Sequence, residues 1–233
     1  MKKYGKKYRA AKELIENESY GLDEAVGLLE KTSTTKFDSS CEAHLNLGVD
    51  PKQADQNIRT TASLPHGTGK EVRVVAFVGD DKVKEAKEAG AMEAGTEELI
   101  EKIEKGWTDF DVAVATPDQM KSIGKIAKII GQKGLMPNPK AGTVTPDFAK
   151  AISEIKKGKV ELRVDKEGNL HTIFGKVSFG EAKLKENLVI VLKKILEEKP
   201  SSIKGSYVKS FTLTTSMGPG VPIDVNKAMA EAK

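Results

Sequence analysis

Hydroxyl, imidazole and ammonium groups recur near the ends of three short segments of this 233-residue chain. The segments are KFDSSCEAHLNL (Lys36 to Leu47), LHTIFGKVSF, and SYVKSFTLTT with the SMGPG that follows it. Hydroxyls and carboxylates can read ribose 2′-hydroxyls and base edges, and lysines bind phosphates. This chemistry predicts an RNA-binding set: Lys36, Ser40, Glu42, His171, Thr172, Ser210, Thr214 and Ser216.

Each member of this set also has a plainer interpretation. A Ser or Thr on the open face of a strand is most often only solvated, and a carboxylate such as Glu42 is costly near phosphates unless it accepts a hydrogen bond. In the alternation of the first segment, Phe37 shares a side with Cys41, so the pattern alone places both in a core. On that basis Cys41 is a small buried apolar residue.

The stretch TTSMGPGVPID (Thr214 to Asp224) places a methionine where the chain turns. A hydroxyl-rich strand pattern ends at Met217, and Gly218, Pro219 and Gly220 follow, which predicts a surface turn. Met217 is therefore predicted to be exposed, and Gly218 would let another backbone come close.

A nucleotide-dependent α/β enzyme is the alternative to RNA binding. After VRVVAFV the chain continues GDDKVKEAKEAG, with two aspartates where a pyrophosphate site needs a G-x-G-x-x-G turn. GQKGLMPNPK is not a phosphate-binding loop, and G-x-S-x-G and H-E-x-x-H are both absent from the sequence. We predict no catalytic site, and specific binding of a labelled nucleotide would favour the enzyme instead.

Composition limits the possible partners further. One cysteine cannot form an intrachain disulfide, and three histidines without a cysteine pair predict no metal site and no cofactor. No apolar run approaches about 20 residues, so we expect no membrane partner and a cytoplasmic protein. The net charge is +4, and residues 1–68, 69–159 and 160–233 carry 0, +1 and +3. Any RNA specificity must then rest on placed contacts more than on bulk charge.

The middle of the chain predicts an α/β domain with three layers. VRVVAFV and DVAVAT have the β-branched composition of strands buried on both faces. Helical segments alternate with them, including PDQMKSIGKIAKII, whose Met120, Ile123, Ala127 and Ile130 share one helix face. Alternating strands and helices predict parallel strands with right-handed crossovers, as in a Rossmann-like domain.

The flanking segments predict a second, discontinuous domain. An alternating strand near residue 40 has no partner until the hairpin KVELRV–DKEGN–LHTIFGKVSF and the strand SYVKSFTLTT arrive. A capping box at Ser178 and Glu181 precedes a helix whose buried stripe includes Leu184 and Leu188. We therefore predict a sheet-and-helix α+β domain from residues 1–68 and 160–233, with residues 69–159 inserted, and a hinge at the glycine-containing linkers 64–72 and 156–160.

Four motifs together resemble one known family. KFDSSCEAHLNLGVDPKQADQNIRTTASLPHGTGK, GQKGLMPNPKAGTVTPD, LHTIFGKVSFGEAKLKENL and TTSMGPGV are similar, in this order and over nearly the whole chain, to the bacterial ribosomal protein L-one family, the protein of the mobile stalk. The resemblance implies a two-domain ribosomal protein whose discontinuous domain binds large-subunit rRNA at the stalk. It also implies contact with exit-site tRNA, repression of the protein's own operon mRNA, and a monomer when free.

The resemblance also implies which residues contact RNA. The family's RNA-binding cluster falls here on Lys36, Phe37, Ser40, Glu42, His171, Ser210, Ser216, Met217 and Gly218. Phe37, which the alternation alone assigns to the core, becomes an RNA contact at the edge of the face. The family usually has Thr at positions 40 and 216, so the methyl group is lost and the hydroxyl remains. Gln132 and Lys133 replace its usual Pro-Arg, which removes a bidentate donor.

Overall fold

The computed structural model describes residues 4–53, 55–203 and 205–232. The chain forms two compact units: unit 1 is Met1–Gly69 with Val160–Lys233, and unit 2 is Lys70–Lys159. Both divisions fall within the glycine-containing segments 64–72 and 156–160. The mixed α/β class predicted from the sequence is confirmed.

The helices and strands of the described residues follow one another in this order: α1 (Lys6–Glu13), α2 (Leu22–Thr32), β1 (Ser40–Leu47), β2 (Arg59–Ser63), β3 (Val74–Phe77), α3 (Val83–Glu88), β4 (Glu93–Gly95), α4 (Glu97–Glu104), β5 (Val112–Ala115), α5 (Met120–Ile123), α6 (Ala127–Gln132), α7 (Phe148–Lys156), β6 (Lys159–Arg163), β7 (Asn169–Lys176), α8 (Glu181–Glu197), β8 (Val208–Thr215), β9 (Val221–Pro222) and α9 (Val225–Glu231). None of these helices is long and apolar enough to cross a bilayer.

Unit 1 is built on an antiparallel sheet with the strand order β7-β1-β8-β9. Strands with period-two burial leave one face apolar, and here α2 and α8 cover that face. The predicted stripe of α8 is confirmed, since Leu184, Leu188 and Val191 are buried in a core shared with Leu45 and Phe211 of the sheet. The opposite face of the sheet carries the polar members of each strand.

Unit 2 has three layers, as its alternating strands and helices predicted. Its parallel sheet has the order β4-β3-β5. Val75 and Phe77 point to a core with α4, α5 and α6, and Val74 and Ala76 point to a second core with α3 and α7. Because both faces of the sheet are covered, its strands read as continuous apolar runs.

Two local predictions in helical regions are wrong. The predicted helix over residues 117–130 is not one helix: α5 and α6 are separated by a 3₁₀ turn that begins at Gly124, and Ile126 is buried where the predicted stripe had Ala127. Glycine is a poor helix former, so the helix breaks there. Ser178 does not cap α8, because its hydroxyl donates to Asp38 Oδ2 at 2.7 Å, and Gly180 holds the N-cap position instead.

The predicted hairpin between residues 160 and 176 is formed only at its turn. Gly168 has the positive φ of 83° that the turn requires. Beyond the bridge between Val164 and Leu170 the two strands separate, because β6 pairs with β2 while β7 pairs with β1. The hairpin therefore joins two sheets of unit 1.

Asn187 is a fully buried polar residue that ties three parts of unit 1 together. Its Nδ2 donates to the carbonyl oxygens of Gly67, at 3.0 Å, and Phe174, at 2.8 Å. Its Oδ1 accepts from the backbone N–H of His66 at 3.2 Å. The amide thus holds residues 66 and 67, just before the division at Gly69, against α8 and β7.

We predict that Asn187→Leu lowers the free energy of unfolding by about 2–4 kcal/mol, because one donor and two acceptors lose their partner in a buried place. Urea unfolding of the full chain measures the change. Asn17→Leu, at an exposed position, is the matched control and should shift the free energy by less than about 0.5 kcal/mol. Equal losses in both variants would contradict the anchoring role of Asn187.

Candidate nucleic-acid interface

The open face of the four-stranded sheet brings together five of the eleven predicted RNA-binding residues. We define the outer face by the side chains that point away from α2 and α8: Ser40, Glu42, His44, Asn46, Asn169, His171, Ile173, Ser210, Thr212 and Thr214. Of these ten, the sequence-based set contains Ser40, Glu42, His171, Ser210 and Thr214.

The strand register arranges the outer face in three rows across β7, β1 and β8. Their members, in that strand order, are Ile173, Glu42 and Thr214 in one row, His171, His44 and Thr212 in the next, and Asn169, Asn46 and Ser210 in the last. Directly opposite residues on one face are close enough to interact. The outer face therefore offers neighbouring hydroxyls, imidazoles and amides with a single carboxylate among them.

A cluster of hydroxyls with one cation lies at the end of the outer face where β1 begins. The backbone N–H of Ser40 donates to Ser216 Oγ at 3.1 Å, and the N–H of Ser216 donates to the carbonyl oxygen of Ser40 at 3.0 Å. Lys176 Nζ donates to Ser40 Oγ at 2.9 Å and to the carbonyl oxygen of Asp38 at 3.3 Å. The two serines predicted from separate segments thus meet, with an ammonium group beside them.

A β-bulge in β7 gives Lys176 its place in this cluster. The register moves from Glu42 opposite Ile173 to Cys41 opposite Gly175, so β7 contains one extra residue. Such an insertion exchanges the two faces of a strand beyond it. Lys176 therefore lies opposite Ser40 on the outer side, and Gly175 turns inward, where a Cβ would lie 2.6 Å from Leu184 Cδ2.

Met217 is presented by a tight turn at the same end of the sheet. The N–H of Gly218 donates to the carbonyl oxygen of Thr215 at 2.8 Å, and Met217 has a φ of 63° at the third position of this turn. That positive φ fits a type II turn, which normally has glycine or asparagine there. The predicted exposure of Met217 is confirmed, since 79% of the residue is accessible to solvent.

The φ of Gly218 does not lie in the left-handed region, so its backbone conformation does not require glycine. Close packing requires it instead. A Cβ at this position would collide with Thr215 Oγ1 and would lie 3.4 Å from the carbonyl oxygen of Thr32 at the end of α2. Thr214 Oγ1 lies 3.2 Å from the carbonyl oxygen of Gly218, a contact in which the hydroxyl donates. Thr214 thus holds the turn that presents Met217.

The structure corrects two assignments, one made from alternation and one made from residue type. Phe37 is 60% exposed, because β1 begins only at Ser40 and residues 36–38 are all exposed instead of continuing its period. Thr172 is only 8% exposed and lies opposite Ala43 on the covered face, so the prediction that it belongs to the wet face is wrong. Neighbours in a strand point to opposite sides, and His171 already occupies the outer one. Lys36, like Phe37, is exposed.

Cys41 is fully buried, as its place in the alternation predicted. Burial raises the pKa of its thiol to about 12, and the nearby Asp38 carboxylate adds to this shift. The thiol is therefore neutral at physiological pH and takes part in packing alone.

His44, like Lys176, is an interface residue that the sequence-based set missed. Its Nδ1 lies 2.8 Å from His171 Nδ1, its Nε2 lies 3.6 Å from Glu42 Oε2, and His171 Nε2 lies 3.8 Å from Asp165 Oδ2. A hydrogen bond between two Nδ1 atoms needs one donor and one acceptor, so the two rings cannot both be fully protonated while it lasts. The alternation of β1 had put His44 on the wet face, but its pairing with His171 depends on the register.

Unit 2 does not form a phosphate-binding turn after β3. The strand leads through Gly79 into Asp80 and Asp81, and Asp81 Oδ1 lies 2.7 Å from the place of a Cβ on Gly79. Carboxylates there would repel a pyrophosphate. Within the described ranges, no group of three or more His, Cys, Asp or Glu side chains could hold a metal ion.

Comparison with known proteins identifies the family. A family model for the Ribosomal protein L1p/L10e family matches residues 29–219. The chain belongs to this family. It is 53% identical to the large ribosomal subunit protein uL1 of Fervidobacterium nodosum over 100% of both chains. The proteins of that name from Salinispora arenicola (54% identical over 96% of this chain and 94% of its own) and Thermobifida fusca (52% over 99% of both) are similar too.

Membership of the L1p/L10e family confirms the resemblance drawn from the four motifs. A family of ribosomal proteins also goes against the nucleotide-dependent enzyme that the sequence left as an alternative. All of the predicted RNA-binding residues, from Lys36 to Gly218, lie inside the segment that the L1p/L10e model matches, and α1 lies outside it.

The histidine pair predicts a pH dependence of stability. Burial and the neighbouring His171 lower the pKa of His44 below the unfolded value of about 6.5, and Glu42 only partly opposes this. Below about pH 6.5 the unfolded chain therefore binds a proton at His44 more readily than the folded protein does, so stability is lost as the pH falls. His44→Gln should flatten this loss in urea unfolding between pH 7.5 and 5. His66→Gln should keep it, and an unchanged profile in His44→Gln would contradict the assignment.

Proposed function

We propose that the protein is a constituent of the large ribosomal subunit and that unit 1 binds large-subunit rRNA at the mobile stalk. The observation that carries the proposal is Met217, a strained and exposed apolar residue beside the Ser40–Ser216 cluster. Strain of this kind persists where the surrounding structure holds it in place, and it is concentrated at functional sites. The relatives named large ribosomal subunit protein uL1 support the ribosomal assignment.

The contacts we propose follow from the chemistry of the residues at this end of the sheet. Met217 and Phe37 would lie against riboses or bases, which present apolar faces. Ser40 and Ser216 would bond ribose hydroxyls and base edges, and Glu42 would accept a hydrogen bond from a 2′-hydroxyl or an exocyclic amine. Ser210, opposite Asn46 at the other end of β1, would bond a more distant part of the RNA. Lys36 and Lys176 are the cations for phosphates at this end.

Glu42 limits how the RNA can lie on the outer face. A phosphate above Glu42 would meet its carboxylate, and His44, at 3.6 Å, offsets little of the repulsion because its lowered pKa leaves the ring neutral near pH 7. We infer that the RNA directs ribose and base edges toward Glu42 and keeps its phosphates toward the lysines. Such recognition favours irregular RNA, whose bases and sugars are accessible, over a regular duplex.

Two further partners belong to the same proposal. The protein's own operon mRNA would carry a structure similar to the stalk rRNA and compete for the outer face and the Met217 turn. Exit-site tRNA would contact unit 2, which the linkers 64–72 and 156–160 would let swing with respect to unit 1. Domain motions of this type typically take microseconds to milliseconds.

Met217→Asp should weaken binding to a stalk rRNA fragment by at least about 100-fold, or about 2.8 kcal/mol, because a carboxylate replaces an apolar contact next to phosphates. The melting temperature should change little, since the side chain is exposed. Met92→Asp, at an exposed methionine of unit 2, is the matched control and should bind like the wild type. Filter binding measures all three affinities, and equal affinity in Met217→Asp would disprove the contact.

Met217→Gly separates the contact from the conformation of the turn. Glycine adopts a φ of 63° without strain, so the turn should persist and the melting temperature should stay the same or rise. RNA affinity should still fall by about tenfold, because one well-packed apolar contact is lost. Wild-type affinity in this variant would mean that the shape of the turn, and not the methionine side chain, is what the RNA recognises.

Unit 1 should bind stalk rRNA without unit 2. We expect residues 1–69 joined to 160–233 by a short Gly–Ser bridge to unfold cooperatively, because its core uses only unit 1 residues. Its affinity for the rRNA fragment should be within about threefold of that of the full chain, or about 0.7 kcal/mol. A folded product that fails to bind would indicate that the RNA site lies in unit 2. A product that does not fold would contradict the prediction that unit 2 is an inserted domain.

A further inference from the structure

Helix α1 carries a concentration of positive charge for which the fold has no evident use. Lys6, Lys7, Arg9 and Lys12 are all exposed, and within the described part of the chain none of them forms an ion pair. The one acidic residue of the helix is Glu13, at its end. We propose that α1 is a second RNA-binding surface, which contacts the phosphate backbone independently of the outer face.

The placement of the charges works against the helix itself. The N-terminal end of a helix carries a partial positive charge, so acidic residues stabilise the first turn and basic residues destabilise it. In α1 the first turn contains no acidic residue and begins with Lys6 and Lys7. By contrast, α2 has Asp23 and Glu24 in its first turn. An anionic partner that binds Lys6 and Lys7 would explain why these lysines occupy the first turn, where they destabilise the helix.

The core does not account for α1 either. Ala11 is the only buried residue of the helix, and its neighbour Ile15 packs only partly against the core of unit 1. An eight-residue helix is marginal by itself, because helix nucleation is costly. Apart from Ala11 and the half-buried Tyr8, the side chains of α1 therefore face solvent and are available to a partner.

Two stacked tyrosines give the charged surface an aromatic component. Tyr4 and Tyr8 lie one helical turn apart, with ring centroids 4.5 Å apart and planes at 20°. Tyr8 is half-buried, and Tyr4 is 58% exposed. Bases stack on aromatic rings of this kind, and neighbouring cations bind the phosphates between them.

RNA fits this surface better than an anionic membrane does. A membrane-surface helix needs an apolar face that enters the boundary of the acyl chains. The exposed residues of α1 are lysines, an arginine, a glutamate and one alanine, Ala10, so the helix has no such face. The partner that remains is a phosphodiester backbone with accessible bases.

The test compares Lys6→Gln/Lys7→Gln with the control Lys183→Gln/Lys193→Gln. The control lysines are exposed on α8 and have no ion pair among the described residues, so both variants lose the same charge from unit 1. Glutamine is a good helix former, and removing the two charges relieves the dipole, so α1 should persist in the circular dichroism spectrum. Each protein is titrated with two RNAs, a stalk rRNA fragment and a plain duplex, from 50 to 300 mM KCl.

We expect the α1 variant to reduce the slope of log affinity against log salt by about 1–2 on both RNAs, since each phosphate contact contributes about 0.9. The fall in affinity at 100 mM should be about 5–10-fold, and the control should keep the wild-type slope. Tyr4→Leu should weaken binding by about threefold and leave the slope unchanged, because a stacking contact carries no charge.

The two RNAs separate this inference from the proposed function on which it rests. Loss of slope on the duplex, in a protein that does not recognise the stalk fragment, would support α1 as an RNA contact and reject the stalk assignment. Tight stalk binding with the same slope in both variants would reject α1. Unchanged RNA binding together with lost binding to phosphatidylserine-containing vesicles would also overturn the inference, in favour of a membrane.

Discussion

The pairing of β1 with β7 and β8 is the interaction on which the rest of unit 1 depends. Residues 40–47 pair with residues 169–176 and 208–215. The central strand therefore joins the two segments of unit 1 that are separated in the sequence by unit 2. Loop-closure entropy grows only with the logarithm of loop length, and an inserted domain therefore adds little to the cost of this closure. The same pairing sets the outer face, because a slip of one residue would turn Glu42 and His44 into the core.

The interface is built where the regular ladder is interrupted. A bulge before Gly175 turns Lys176 outward to Ser40 Oγ, and a turn with a positive φ holds Met217 in solvent. Both departures need glycine, since a side chain at position 175 would meet Leu184 and one at position 218 would meet Thr215. A left-handed methionine costs about 1–2 kcal/mol, a cost that the hydrogen bonds of the turn and the packing of Gly218 offset.

Period-two alternation predicted correctly which side chains of unit 1 face inward or outward where the strands are regular. It failed where the period changes. It placed Cys41 inward and Glu42 outward because β1 is regular from Ser40 onward. It placed Phe37 inward because the sequence does not mark where the strand begins. Thr172 was grouped with polar strand residues by type, although a neighbour of an outward residue must face inward. The place of Lys176 depends on a bulge, and a bulge is visible only when two strands are paired.

The distribution of charge divides recognition into two parts. The outer face has the carboxylate of Glu42 on its central strand and Lys176 beside Ser40 at its β1 end, so the RNA contacts that we propose for it are mainly hydrogen bonds and apolar contacts that salt affects little. The four cations of α1, which form no ion pair among the described residues, are chemically the reverse, since the attraction to phosphates that we propose for them would be strong at low salt and indifferent to sequence. Mutations could therefore change the sequence preference of the outer face and the phosphate attraction of α1 independently of each other. In this proposal, a chain with a net charge of only +4 combines selective contacts on the outer face with a limited, sequence-independent attraction at α1.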